Sequence, residues 1–246
     1  MLAIFKREMR SYFQTPTGYI FAAVFLCASG FLFAFTTLQM QSSDVGVYFQ
    51  FLMYAYIVII PLLTMRSFAE EKKSGTEQLL LTSPVSLVSM VFAKFLAAFT
   101  MFSGTLLVSC AYFAVLGIYA TDPNWAKIIG CTVGMLLIGM CFIAIGLFVS
   151  SLTDNLFVAA IGTVAILAGL VVVSILNGLI DSYFIRLILD WVSIYARYTN
   201  FTYGILISQV RSTMFPSASY FCSSASVFTR SADLRKEVHH EKKVLQ

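Results

Sequence analysis

Five long stretches of the chain carry no charged residue: 11–43, 45–65, 95–121, 128–153 and 155–180. Each is long enough to supply the ~20 helical residues that cross a bilayer core of roughly 30 Å. None alternates apolar and polar positions as a membrane β-barrel strand does. Backbone amides in lipid must be satisfied within their own segment, so runs of this kind predict helices. A sixth, weaker span falls between Asn200 and Phe228, where five serines and a proline interrupt Met214–Phe228. Serine can bond back to its own helix, which leaves insertion beside other helices open. The pattern therefore predicts an all-α polytopic membrane protein of six spans, with a five-span chain and an external tail as the competing arrangement.

Composition agrees. Of 246 residues 59% are hydrophobic and 11% charged, against about 25% charged in soluble domains. The run Gly18–Leu38 is longer than a signal-peptide core and no small-x-small cleavage site follows it, so the first helix is expected to stay. The cysteines Cys27, Cys110, Cys131, Cys141 and Cys222 lie in apolar segments without a CxxC pair, as small buried hydrophobes do. The tail pair His239-His240 is expected to be solvated.

Charge sets the orientation, because Lys and Arg accumulate on the cytoplasmic side of short loops. With six spans and both termini inside, Lys6, Arg7, Arg10, Arg66, Lys72, Lys73 and the tail residues Arg230, Arg235, Lys236, Lys242 and Lys243 lie inside. Lys127, Arg186, Arg197 and Arg211 fall outside, and Lys94 sits at the start of a span. Orientation thus accounts for the net charge of +4. No basic stripe interleaved with aromatics lies outside the spans, so no nucleic-acid partner is expected.

Two segments stand out against this frame. Within residues 1–16, Leu2, Phe5, Met9, Tyr12 and Phe13 recur at helical spacing, with Lys6, Arg7 and Arg10 on the other face. That predicts an amphipathic helix in the membrane interface, broken at Thr15-Pro16 before Gly18 opens the first span. It reads either as an elbow near a cytosolic partner or as a plain anchor. The second segment is 66–84, which packs Arg66, Glu70, Glu71, Lys72, Lys73 and Glu77 into twelve residues between spans two and three. Phe68–Lys73 is helix-compatible, Gly75-Thr76 can end one helix and start another with Thr76 as N-cap, Glu77 suits the first turn of the new helix, and Pro84 stops it. A cytosolic helix docked on a soluble partner competes here with a solvated charged loop.

The stretch from Glu70-Glu71 through Gly75-Thr76-Glu77 and Leu79-Leu80 to Pro84, followed by Lys94, resembles the coupling region of ABC-2-type transporter permeases. The resemblance extends to Lys6-Arg7-Glu8 with Pro16-Thr-Gly18, to Gly146–Ser151 with Thr153-Asp154-Asn155, and to Asn200-Phe201 with Tyr203-Gly204. Its overall look is closest to bacterial permeases of the gliding-motility and copper-processing type. It implies a six-helix transmembrane domain (17–229) with an N-terminal interfacial elbow helix (1–16), a cytosolic coupling helix at 66–84 and a charged cytosolic tail (230–246). It also implies a bacterial inner-membrane location, a second permease copy or related permease, and separate ATP-binding subunits. Glu70, Glu71, Gly75, Thr76, Glu77 and Leu80 are the implied ATPase contacts, with Thr153, Asp154 and Asn155 as a second, smaller one. The serine-rich end departs from the family's strongly apolar last helix.

The chain lacks the Gly-(x)4-Gly-Lys-Ser/Thr phosphate loop, since Gly134-(x)4-Gly139 is followed by Met140-Cys141. It also lacks a His-Glu-x-x-His motif and a Gly-x-Ser-x-Gly elbow. No cofactor is expected, and ATP hydrolysis would have to occur in another subunit. An ion-coupled carrier or membrane enzyme would need buried acids, histidines or a serine–lysine pair, and a non-transporting anchor for a cytosolic ATPase is a further alternative. Lys94 is expected to snorkel to the interface. Gly130-(x)3-Gly134 is the expected close helix contact. Tyr48, Phe49, Phe51, Tyr54 and Tyr56 are expected to form an aromatic belt or, less simply, a substrate-facing surface.

Overall fold

The computed structural model describes residues 2–39, 45–74, 87–119 and 125–177. The regular structure among them is helical: α1 Leu2–Gln14, α2 Pro16–Phe33 continued by a π-helical segment Ala34–Gln39, α3 Val45–Ser74, α4 Leu87–Ser109, α5 Tyr112–Tyr119, α6 Trp125–Leu152 and α7 Leu156–Asn177. Five stretches are long and apolar enough to cross a membrane: Pro16–Gln39, Val45–Glu70, Ser89–Ala114, Trp125–Leu152 and Leu156–Val173. They coincide with the five charge-free runs. The expected sixth span (200–228) and the tail (230–246) lie outside the described residues.

The elbow forms where the sequence breaks helix continuity. Thr15 is extended, and Pro16 opens α2 where its missing N–H costs nothing. Thr15 satisfies its own backbone and hydroxyl on Ser11 O, at 2.9 and 2.7 Å. Gly18 is required here, because a Cβ would sit 2.2 Å from Tyr12 O. The absent side chain lets the first turn of α2 lie against the last turn of α1.

Helix α3 is the hub. It packs most extensively against α6, then against α7 and α2, while α1 rests on α4. Two glycines of α6, seven residues apart and so on one face, allow the close approach. A Cβ on Gly146 would lie 2.3 Å from Thr64 Oγ1 of α3, and one on Gly139 would lie 2.2 Å from the Phe102 ring of α4. Gly130 and Gly134 are buried as well. Pro61 lies inside α3 and leaves one turn of its ladder without a donor.

The aromatic residues of span two correct the expectation of a belt. Tyr48, Phe49 and Tyr56 are fully buried. Tyr48 and Phe49 meet Phe113 at ring-centroid distances of 5.6 and 5.5 Å, and Phe33 meets Tyr48 at 5.9 Å. Tyr56 meets Phe102 at 5.2 Å and Phe25 at 6.0 Å. These edge-on and tilted contacts are favourable aromatic geometry and form the core between spans one, two and three. Phe51 alone of the five is exposed. The run 95–121 also holds more than one straight helix: Cys110 and Ala111 form a turn between α4 and α5.

Candidate functional site: the charged end of the bundle

The elbow, the end of α3, the start of α4 and the α6–α7 turn meet at one end of the bundle, and most of the described charge gathers there. Their meeting is built on three side chains. The first is Ser150, fully buried near the end of α6. Its hydroxyl accepts from the backbone N–H groups of Phe68 and Ala69, each at 3.2 Å, and donates to Met65 O at 3.1 Å. One hydroxyl thus holds three backbone groups of the last turns of α3, just beyond the Gly146–Thr64 contact. Displacing those turns means breaking these bonds or moving α6 with them.

The second is Lys94, with its side chain only 1% exposed. Its ammonium donates to Ser67 O at 2.9 Å, lies 3.4 Å from Glu8 Oε1 and stands 5.2 Å over the Phe68 ring. The expected snorkelling anchor is instead an internal cross-link of α4 to α3 and α1. The stem of four methylenes could have reached the interface; the carboxylate of Glu8 and a carbonyl from α3 give the charge better partners inside. The third is Glu8, 14% exposed, which also accepts from Arg7 at 2.8 Å. Sequence reasoning assigned Glu8 no role. Its signal was available: Phe5, Glu8, Met9 and Tyr12 share one side of a 3.6-residue helix, so Glu8 belongs to the inward face.

Arg66 and Glu70 form an (i, i+4) pair through Arg66 Nε to Glu70 Oε2 at 2.8 Å. This pairing suits a continuous helix, and α3 accordingly runs through the charged stretch to Ser74. The segment expected to open a separate coupling helix at 66 is, up to Ser74, the extension of span two. Half-buried Tyr12 faces the same group of charges. Burial pushes its hydroxyl above the usual tyrosine range, Glu8 adds in the same direction and Arg66 opposes, so it is neutral at physiological pH.

Of the expected contact residues, Glu70 is exposed beside Arg66, and Glu71 lies in the last turn of α3. Gly75, Thr76, Glu77 and Leu80 lie outside the described residues. Thr153, Asp154 and Asn155 form the turn between α6 and α7 at the same end, with Asp154 and Asn155 exposed. Asn155 caps α7 through Phe157 N to Asn155 Oδ1 at 3.0 Å and is itself held by Thr153 Oγ1 at 3.2 Å.

A bundle of at least five apolar spans, with most of the described charge at one end, defines a multi-pass membrane protein. The chain belongs to the ABC-2 family transporter proteins, whose family model matches residues 3–229. It is a membrane-spanning member of the ABC transporter class. No curated protein matches it.

Proposed function

We propose that the chain is the permease subunit of an ABC transporter and moves its substrate on ATP hydrolysis in separate ATP-binding subunits. The segment after α3 receives the force. Gly75, Thr76, Glu77 and Leu80, together with Glu70 and Glu71, contact the ATPase, and Thr153–Asn155 makes a smaller second contact. The charged end then faces the cytoplasm, with the N-terminus on that side, and the subunit works beside a second permease copy or a related permease in a bacterial inner membrane.

The observation that carries this reading is the tie between the last turns of α3 and three other elements. A push delivered just past Ser74 reaches α6 through Ser150 and reaches α4 and α1 through Lys94 and Glu8. Because packed helices have discrete arrangements rather than continuous ones, such a push produces a rigid-body shift of whole helices.

The test is affinity purification of the full chain from its native membrane, followed by identification of retained proteins. An ATP-binding subunit is expected to be retained, and Glu77→Lys with Leu80→Asp to release it while membrane insertion persists. Retention undiminished by those changes would place the contact elsewhere. Absence of any nucleotide-binding protein from the purified complex would remove the reading.

A further inference from the structure

Between the elbow and the first three spans lies a cavity of about 350 Å³, at the lower end of ligand-site sizes. It lies at the ends of apolar spans: its walls include Thr17 at the start of span one and the last turn of span two. Three cations, Arg7, Arg66 and Lys94, face two carboxylates, Glu8 and Glu70, and hydroxyls from α1 and the start of α2 complete the lining. Among the described lining residues, cations outnumber carboxylates.

We propose that this cavity binds the phosphodiester headgroup of an anionic phospholipid from the adjacent leaflet. Depth, charge and donor chemistry agree on this occupant. The site sits where α1 meets the ends of spans, which is headgroup level. A phosphodiester carries one negative charge and so meets the excess of cations among the described lining residues. Guanidinium groups match phosphate oxygens with a planar fork of donors; Arg66 commits its Nε and one Nη to Glu70 out of five N–H groups, and Arg7, paired with Glu8, lines the same cavity. These carboxylates hold both arginines in position at the wall. Lys94 contributes field from behind, tied as it is to Ser67 O and Glu8. The neutral hydroxyl of Tyr12 donates without adding negative charge. Basic pockets between spans are an established form of headgroup site. Bound there, the lipid joins the elbow to the end of α3 and stiffens the connection between them.

Native mass spectrometry of the full chain, extracted in detergent with equal phosphatidylglycerol and phosphatidylcholine, tests this. The wild-type chain is expected to retain phosphatidylglycerol over phosphatidylcholine. Arg7→Gln with Arg66→Gln is expected to weaken that retention about tenfold or more, the loss of charge-assisted hydrogen bonds to phosphate. Lys6→Gln with Arg10→Gln removes the same two charges from the exposed face of α1 and is expected to leave retention nearly unchanged. Adding sn-glycerol 3-phosphate separates a lipid from a soluble phosphate ester, and millimolar amounts are expected to displace little lipid. Equal loss in both double variants would overturn the proposal in favour of diffuse surface attraction. Displacement by sn-glycerol 3-phosphate, or no preference for phosphatidylglycerol, would overturn it as well. Thr17→Val, which leaves every ion pair in place, gives a second reading at the cavity wall should the arginine variants fail to fold: reduced preference is expected, and unchanged preference counts against the site.

Discussion

Replacing Glu8 with Gln removes the carboxylate that faces the Lys94 ammonium at 3.4 Å. At that separation, with an effective dielectric constant of about 20, the attraction is about 5 kcal/mol before desolvation is charged against it. The substitution erases the attraction but leaves the ammonium buried, and breaking a buried pair in this way costs about 3–5 kcal/mol. Lys94→Met acts differently. It takes the buried charge away, while Glu8 keeps Arg7 at 2.8 Å and some contact with solvent. What is lost is the donor to Ser67 O, a cost of about 1–3 kcal/mol. The double variant should therefore resemble Lys94→Met alone, giving a coupling energy between the two positions as large as the Glu8→Gln cost itself, about 3–5 kcal/mol. The assay is the free energy of unfolding in mixed micelles, titrated with a denaturing detergent and followed by circular dichroism, for the wild type, both single variants and the double. Additive effects, or a Lys94→Met variant costlier than Glu8→Gln, would refute the internal cross-link and return Lys94 to the interface.

Gly146→Ala should destabilise the bundle by about 1–3 kcal/mol through overpacking, since its Cβ would meet Thr64 Oγ1 at 2.3 Å; Thr64→Ala in the same chain should recover part of the loss, and thermal unfolding of the four variants checks this. Tyr12 releases its proton more readily unfolded than folded, because burial raises its folded pKa. Its contribution is therefore complete below the unfolded value of about 10 and is lost as pH rises above it; Tyr12→Phe should flatten the alkaline fall in stability. Gly75→Pro should leave insertion intact and lower the substrate moved per ATP hydrolysed in vesicles containing the full transporter; unchanged coupling would count against a force-bearing segment there.

The spans were legible because lipid imposes a simple rule. A run such as 155–180 has no charge and no alternation, and it became Leu156–Asn177. The elbow was legible from Thr15-Pro16 and from Gly18, whose need for close approach shows in the contact with Tyr12 O. The family was legible from the motifs around 66–84 and 146–155. What escaped depends on tertiary partners. Lys94 can snorkel or turn inward, and only the positions of Glu8 and Ser67 decide. Gly139 and Gly146 lie outside the four-residue small-residue spacing, yet they face Phe102 and Thr64. The aromatics of span two have the composition of an interface belt, and only the placement of Phe33, Phe102 and Phe113 turns them into core. The charged stretch from Arg66 reads as a break in hydrophobicity, but an (i, i+4) ion pair lets a helix continue through it.

The sidedness of the segment after Ser74 decides whether a cytosolic ATPase can press on it at all. Glu77→Cys, in a chain whose five native cysteines are replaced, can be probed with a membrane-impermeant maleimide. A cytosolic segment gives no labelling in intact cells and rapid labelling in inside-out vesicles. Labelling from outside intact cells would contradict that placement.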